Sequence, residues 1–115
     1  MKYMLLIYSN ESSLAALDEP GRREMVAAFS AYNEALEKAG AYIDGSRLHP
    51  ASAATTVRAN GAKLTVLNGP YAETLEQLGG YYLIEAGDLD AALTWARRCP
   101  ASTYGAVEIR PVWSM

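Results

Sequence analysis

Residues 68–83 of this 115-residue chain read NGPYAETLEQLGGYYL. The opening Asn-Gly-Pro predicts a tight turn, because Asn and Gly tolerate positive φ and Pro fixes its own φ. The closing residues are rich in β-formers and predict a strand over 78–86. Between turn and strand lie two carboxylates, Glu73 and Glu76. The run therefore predicts a turn that leads polar groups to the start of a buried strand, beside a candidate pocket.

Outward from this run, hydrophobic spacing and cap residues predict the remaining elements. Strands are predicted over 2–9, 41–48, 54–59, 62–67, 78–86 and 105–112, a short helical turn over 11–17, and helices from Asp18 to Gly40 and from Asp88 through Cys99. Asp18 and Asp88 are predicted N-caps, and Gly40 ends the first long helix. Asn60-Gly61 predicts a hairpin between the third and fourth strands.

Without that hairpin, the element order is βαββαβ. This order predicts an α+β fold of the ferredoxin-like type, with an inserted β-hairpin and an antiparallel sheet carrying both helices on one face. Residues 3–8 and 81–84 are apolar on both faces of their strands. The face without helices would expose a large apolar patch in a monomer. The pattern therefore predicts a homodimer in which two sheets pack together.

Composition excludes several classes of protein. The length fits one domain over 1–115. The net charge of −3 and the absence of any Lys/Arg cluster argue against nucleic acid or an anionic membrane as a partner. The apolar run at the amino terminus is short and is followed by Asn10 and Glu11, which favours a buried strand over a signal peptide or membrane span. A soluble cytoplasmic protein is expected. Cys99 is the single cysteine, which excludes an internal disulfide and favours a packing role.

The opening run resembles the signature of the YCII-related family, in its DGPF-type branch. That signature reads Asp-Gly-Pro-Phe-Ala-Glu, then Thr or Ser, Lys, Glu and a Gly-Gly-aromatic strand. The matching positions are Gly69, Pro70, Ala72, Glu73, Thr74, Glu76, Leu78, Gly79 and Gly80. The similarity extends over nearly the whole chain, and it implies a dimeric ferredoxin-like α+β barrel.

Three positions depart from the signature: Asn68 replaces Asp, Tyr71 replaces Phe and Leu75 replaces Lys. An Asn keeps the hydrogen bonds that cap a turn but cannot accept a proton at neutral pH. If the family's Asp were a general base, this member would be impaired. If the Asp caps a turn, nothing is lost.

Three residues are candidates for acid–base catalysis. Glu73 and Glu76 would lie on one side of a helical turn if residues 72–77 formed one, and paired carboxylates can split their pKa values into acid and base. The alternative is a solvated turn whose charges point outward. His49 is the single histidine and has an ordinary pKa near neutrality, but a lone histidine can equally be structural or exposed.

Four further residues are candidates for substrate binding. Arg110 shares a strand face with Glu108, so it is either paired with an acid at the sheet edge or serves as an anion clamp. Tyr8 and Tyr82 are either core or interface aromatics, or hydroxyl donors to a ligand. Asn68 completes the set. No HxH or HxxxE spacing predicts a metal site, and no Gly-rich phosphate motif predicts a cofactor.

Three functions remain open from the sequence. The first is a small cofactor-independent enzyme acting on a small molecule by acid–base chemistry. The second is a non-catalytic homodimeric module that binds a small molecule or has a regulatory role, and the third is a purely structural interaction protein. An enzyme should bring at least two of Glu73, Glu76, His49 and Arg110 within hydrogen-bond reach around one cavity.

Overall fold

The computed structural model describes residues 1–114, which form an α+β fold with an antiparallel sheet and three helices. The elements are β1 (Lys2–Ser9), α1 (Glu11–Ala15), α2 (Glu19–Lys38), β2 (Tyr42–Arg47), β3 (Thr55–Asn60), β4 (Lys63–Asn68), β5 (Gln77–Glu85), α3 (Leu89–Arg98) and β6 (Ala106–Pro111). Two 3₁₀ turns that the sequence did not predict cover Ala51–Ala53 and Pro100–Thr103. The predicted strands and helices are confirmed, with ends that differ by at most two residues.

Local cap signals set the helix ends. The Asp18 carboxylate accepts a hydrogen bond from the Gly21 N–H at 2.8 Å, and the Asp88 carboxylate accepts one from the Ala91 N–H at 2.9 Å. These bonds satisfy amide donors that have no partner inside the helix. Gly40 follows α2 with φ of +69°, a conformation that favours glycine. The three cap predictions are confirmed.

The main sheet has the strand order β2-β5-β1-β6, and all its neighbours are antiparallel. β1 therefore lies inside the sheet, paired on both sides, which agrees with its apolar sequence. β3 and β4 pair only with each other and form a separate two-stranded ribbon. Gly61 turns this ribbon with φ of +63°, so the hairpin predicted at Asn60-Gly61 is confirmed.

The core lies on one face of the main sheet. Tyr3, Leu5 and Ile7 of β1 are buried there, with Leu36 of α2 and Ala96 of α3. Because alternate residues of a strand point to opposite faces, both long helices cover the same face. Leu5, Leu36, Ile84 and Cys99 are the largest side chains with essentially no exposure. The packing role predicted for Cys99 agrees with this burial.

The opposite face of the sheet is not covered by α2 or α3, and we call it the open face. It presents the apolar or aromatic side chains Met4, Leu6, Tyr8, Tyr81 and Leu83. Neighbouring strands align these side chains, with Met4 opposite Leu83 and Leu6 opposite Tyr81. Each of them is half-buried by its neighbours within the single chain. The prediction that β1 and β5 are apolar on both faces is confirmed.

Candidate functional site

The start of β5 brings distant parts of the chain together at one end of the sheet. β1 ends there, with Ser9 opposite Gln77, and β2 ends there, with Arg47 opposite Gly80. The Leu48 N–H donates to the Gly79 carbonyl at 2.9 Å, so the next residue, His49, lies beside this end. Glu76 immediately precedes β5. The fold thus places the loops of His49 and Glu76 at the same end of the sheet.

A chain of hydrogen bonds ties these loops together. The Glu11 carboxylate accepts from the Ala51 N–H at 2.8 Å, and the Glu11 N–H donates to Gln77 Oε1 at 3.0 Å. Gln77 Nε2 in turn donates to the Thr74 carbonyl at 2.6 Å. This series of hydrogen bonds connects the end of β1, the 3₁₀ turn after β2 and the segment before β5. We call Glu11, Gln77 and the backbone groups they bind the loop clamp.

Sequence reasoning missed the contacts by which Glu11 and Gln77 join these loops. Gln77 stands inside the opening run, but nothing in its local sequence shows that its amide bonds two loops at once. In the sequence, Glu11 indicates only where the apolar run of the first strand ends. The sequence gives one partial signal for the position of Glu11. Asn10 is the N-cap of the short helix that begins at Glu11, and its side chain accepts a hydrogen bond from the Ser13 N–H.

The two candidate carboxylates are exposed. Residues 71–76 form two bends joined by irregular backbone, so the helical turn hypothesised for residues 72–77 is not present. The segment instead closes on itself, as the Thr74 hydroxyl donates to the Glu76 backbone carbonyl. Within residues 1–114, neither the Glu73 nor the Glu76 carboxylate takes part in a hydrogen bond or ion pair. The structure favours the solvated alternative for the single chain.

His49 is exposed as well, in the loop that follows β2. Arg110 is 67% exposed at the side chain, and its Nη1 bonds Glu108 Oε2 at 3.1 Å. This ion pair confirms that the two residues share a strand face. Arg110 lies opposite Met4 on β6, towards the end of the sheet away from His49 and Glu76. The structure brings the loops of His49 and Glu76 together but separates both from Arg110, and all these roles stay predictions.

Asn68 occupies the exit of the ribbon. It is the exposed last residue of β4, and Gly69 after it has φ of +112°. The Gly69 N–H donates to the Ala54 carbonyl at 2.7 Å, and the Thr56 hydroxyl donates to the Gly69 carbonyl at 2.8 Å. The turn is therefore held by backbone groups of Gly69. This geometry gives the Asn-Gly-Pro segment a structural purpose, while a binding role for Asn68 stays a prediction.

The two candidate tyrosines lie on opposite faces of the sheet. Tyr8 is on the open face, whereas Tyr82 is 7% exposed on the helix face, where its hydroxyl donates to Asn33 Oδ1. The Tyr82 ring meets the Tyr32 ring edge-on, with 5.3 Å between ring centroids. Burial, followed by the nearby Cys99, raises the pKa of Tyr82 to about 12. Tyr82 is thus a core residue with a protonated phenol at neutral pH.

Replacing Tyr82 by Phe is expected to change how stability depends on alkaline pH. The pKa of Tyr82 is about 12 in the folded chain and about 10 for an exposed phenol, so the folded state binds more protons between these values. Its contribution to stability is complete below pH 10 and is lost as pH rises through 12. Urea unfolding from pH 7 to 12 should show a shallower alkaline decline for Tyr82→Phe. Below pH 9 the two curves should be parallel, offset by the lost Asn33 hydrogen bond; equal alkaline slopes would contradict the assignment.

A groove of about 590 Å³ lies between α2 and the 3₁₀ turn that follows α3. Its floor includes Met25, Ala28 and Tyr32, and its charged lining residues are Glu24 and Arg98. Glu73, Glu76 and His49 do not line it. Cys99 is close to this region but buried, and burial raises the pKa of its thiol.

Among the described residues, no three His, Cys, Asp or Glu side chains cluster as metal ligands would. Over the same residues, no helix combines the length and apolar character that a membrane crossing needs.

Comparison with known proteins identifies relatives along the whole chain. The model of the YCII-related domain matches residues 1–115. An uncharacterised protein of Rhizobium meliloti (strain 1021) is 36% identical over 114 residues, an alignment that covers 97% of this chain and 92% of the relative. Both matches extend from the first strand to the last. This chain therefore belongs to the YCII-related family.

Proposed function

We propose that the chain acts as a homodimer of ferredoxin-like βαββαβ subunits whose sheets pack face to face. The element order without β3 and β4, the antiparallel sheet and the placement of both long helices on one face support this arrangement. Within the family we assign the chain to the DGPF-type branch, on the Gly69-Pro70 turn and the residues that follow it. Location in the cytoplasm stays a prediction.

The open face has the composition of an interface. Its centre is apolar, with Met4, Leu6 and Leu83, whereas its two edges carry polar pairs. At one edge the Tyr81 hydroxyl donates to Asp44 Oδ2 at 3.0 Å, and at the other lies the Glu108–Arg110 ion pair. Stable protein interfaces have this apolar centre and polar rim. A second copy would cover the apolar centre and leave the edges wet.

Binding of a small molecule without catalysis is the function that the geometry supports best. The observation that carries it is the open groove beside α2, of about 590 Å³, which combines an apolar lining with one Arg and one Glu. The groove contains none of the three acid–base candidates. Its apolar floor with one Arg and one Glu suits a small apolar molecule that carries a single charged group.

The second candidate is a cofactor-independent enzyme that works by acid–base chemistry. One observation favours it: the loop clamp holds the loops of His49 and Glu76 at the same end of β5. His49 would serve as base, and Glu73 or Glu76 as acid. Because all three are exposed in the single chain, this reaction needs a further surface to exclude water.

A thermal-shift screen separates the two candidates. A panel of small aromatic and aliphatic acids and amines is tested against the wild type, Ala28→Phe and Glu73→Ala. Ala28 is exposed in the groove, so a Phe there should block ligand entry without disturbing the core. A ligand at 100 times its Kd stabilises the folded state by about 2.7 kcal/mol, which raises Tm by several degrees. We expect this shift to vanish in Ala28→Phe and to persist in Glu73→Ala.

The matched control is Ala27→Phe. Ala27 is the neighbouring exposed alanine of α2 and does not line the groove, so its Phe variant should bind like the wild type. A shift that vanishes in Glu73→Ala and persists in Ala28→Phe would transfer the site to the start of β5. In that case the enzyme candidate would replace the binding module. A panel that shifts no protein would count against the groove.

A further inference from the structure

Residues 54–70 comprise the ribbon of β3 and β4 and the residues that flank it, and we call them the arm. The arm projects from the rest of the domain. Its strands form no ladder with the main sheet. The Cα radius of gyration is 16.0 Å, whereas a compact chain of this length has about 13 Å. The molecule is also flat, 47 by 44 by 18 Å along its principal axes. The arm thus extends the molecule instead of folding back over it.

The two faces of the arm differ. On one face Arg58 lies over the Tyr71 ring at 5.0 Å from its centroid, and the Thr65 hydroxyl donates to the Arg58 carbonyl at 3.1 Å. The other face aligns Val57 with Val66 and Ala59 with Leu64. The large side chains of this bare face are 62% exposed at Val57, 66% at Val66 and 74% at Leu64. The arm is amphipathic, and none of residues 1–114 covers its apolar face.

Such a ribbon is at best marginally stable without a packing partner. Isolated two-stranded hairpins are marginal in water and need a further strand, sheet or helix against their apolar face. Three of the fourteen exposed large hydrophobic residues in the described chain, Val57, Leu64 and Val66, lie together on this bare face. A contiguous uncovered apolar patch marks an interaction site, whereas single exposed apolar residues do not.

We propose that the arm docks on a second copy of this chain, an inference that rests on the proposed homodimer. Charge favours this occupant. Arg58 and Lys63 are the charged residues of positions 54–70, so the arm carries +2, while the remaining eight basic and thirteen acidic residues give −5. Both charges lie on the face opposite Val57 and Val66, so they leave the bare face free for apolar contact, while a basic arm and an acidic body attract each other between copies.

Area favours the same occupant. Four strands at about 4.8 Å spacing, each about 20 Å long, give the open face a flat area of about 400 Å². A standard stable interface buries about 800 Å² on each partner. The open face alone gives about half of that area, and the arm's two strands add about 200 Å². An interface that joins the open face and the arm approaches the size that a stable dimer needs.

Docking of the arm has a consequence for the candidate site. Residues 69–76 leave the arm and carry Glu73 and Glu76, which are exposed in the single chain. When the arm lies against the partner, these carboxylates come to the subunit boundary, where the partner's surface can exclude water. The site would then be composite, with the carboxylates of one copy facing the body of the other.

The test compares dimer dissociation constants by sedimentation velocity over a dilution series. Val66→Lys puts a charge on the bare face of the arm, and Leu67→Lys puts the same charge on the opposite face of the same strand. We expect Val66→Lys to weaken the dimer at least 10-fold and Leu67→Lys to weaken it less than 3-fold. Both residues are largely exposed, so both variants should keep the wild-type circular dichroism spectrum.

Hydrogen exchange gives a second readout that does not depend on a variant. Backbone amides of residues 55–68 should exchange more slowly above the dissociation constant of the wild type than below it. A wild-type dimer that Val66→Lys leaves intact, with unchanged exchange in the arm, would overturn the docking and leave the homodimer standing. A wild type that is monomeric at every concentration would overturn both.

Discussion

Replacing Gly105 by Ala is expected to lower the free energy of unfolding by about 3 kcal/mol, at the upper end of the range for overpacking. An added Cβ would lie 2.1 Å from the Tyr8 carbonyl oxygen and 3.2 Å from the Ser9 Cβ. The carbonyl belongs to the backbone of a central strand and cannot rotate away as a flexible side chain would. Relief therefore requires β1 and β6 to separate at the point where their pairing begins, at Tyr8 and Ala106. Urea unfolding of both proteins gives the difference.

The matched control for this substitution is Gly87→Ala. A Cβ at Gly87 meets no atom within 4 Å, and its φ lies outside the left-handed region. This variant should unfold within about 0.5 kcal/mol of the wild type, as surface substitutions usually do. A Gly105→Ala protein that is as stable as Gly87→Ala would mean that β6 does not approach the end of β1 as described.

The elements that sequence predicted well are those with local signals. Asp18, Gly40 and Asn60-Gly61 act on residues within four positions of themselves, so no knowledge of tertiary contacts is needed. The sequence of β1 also predicted that both faces of this strand need cover, because nearly all of its residues are apolar. Helices on one side of the sheet cover only one of those faces. These signals determined the order of elements and the α+β class.

The features that sequence missed depend on distant partners. Residues 72–77 are compatible with a helical turn, yet the Gln77 side chain donates to the Thr74 carbonyl and accepts from the Glu11 N–H instead. The bonds of the loop clamp from Glu11 reach Ala51 and Gln77, which are 40 and 66 positions away. No local pattern encodes contacts at that separation.

The candidate site shows the same difference between what local sequence predicts and what depends on distant contacts. Sequence identified residue types with suitable chemistry, such as His49 and the pair Glu73 and Glu76, but not whether they share a cavity. The structure places the loops of His49 and Glu76 at one end of β5 and leaves both side chains exposed. Arg110 pairs with Glu108, one of the two alternatives that the sequence left open, because both point to the same face of β6. Its role as an anion clamp stays a prediction.

Replacing Met4 by Asp is expected to weaken the proposed homodimer at least 100-fold. Met4 lies in the middle of the open face, on a strand that is paired on both sides. An Asp side chain there is too short to reach the solvent-exposed edge of the open face, so dimerisation would bury its charge. A two-fold interface contains every substitution twice, and an uncompensated buried charge costs several kcal/mol. A 100-fold change corresponds to about 2.8 kcal/mol, which is a modest share of that cost.

The fold of the single chain should tolerate Met4→Asp, because position 4 is only half-buried there and the added carboxylate keeps contact with water. Arg110, directly opposite on β6, is already paired with Glu108. Val26→Asp is the matched control, since Val26 is 62% exposed on α2, away from the sheet. Sedimentation equilibrium at micromolar concentration should give a monomer for Met4→Asp and a dimer for Val26→Asp, with both proteins folded by circular dichroism. If Met4→Asp forms a dimer as tight as the wild type, the sheets do not pack face to face, and another surface must join the two copies.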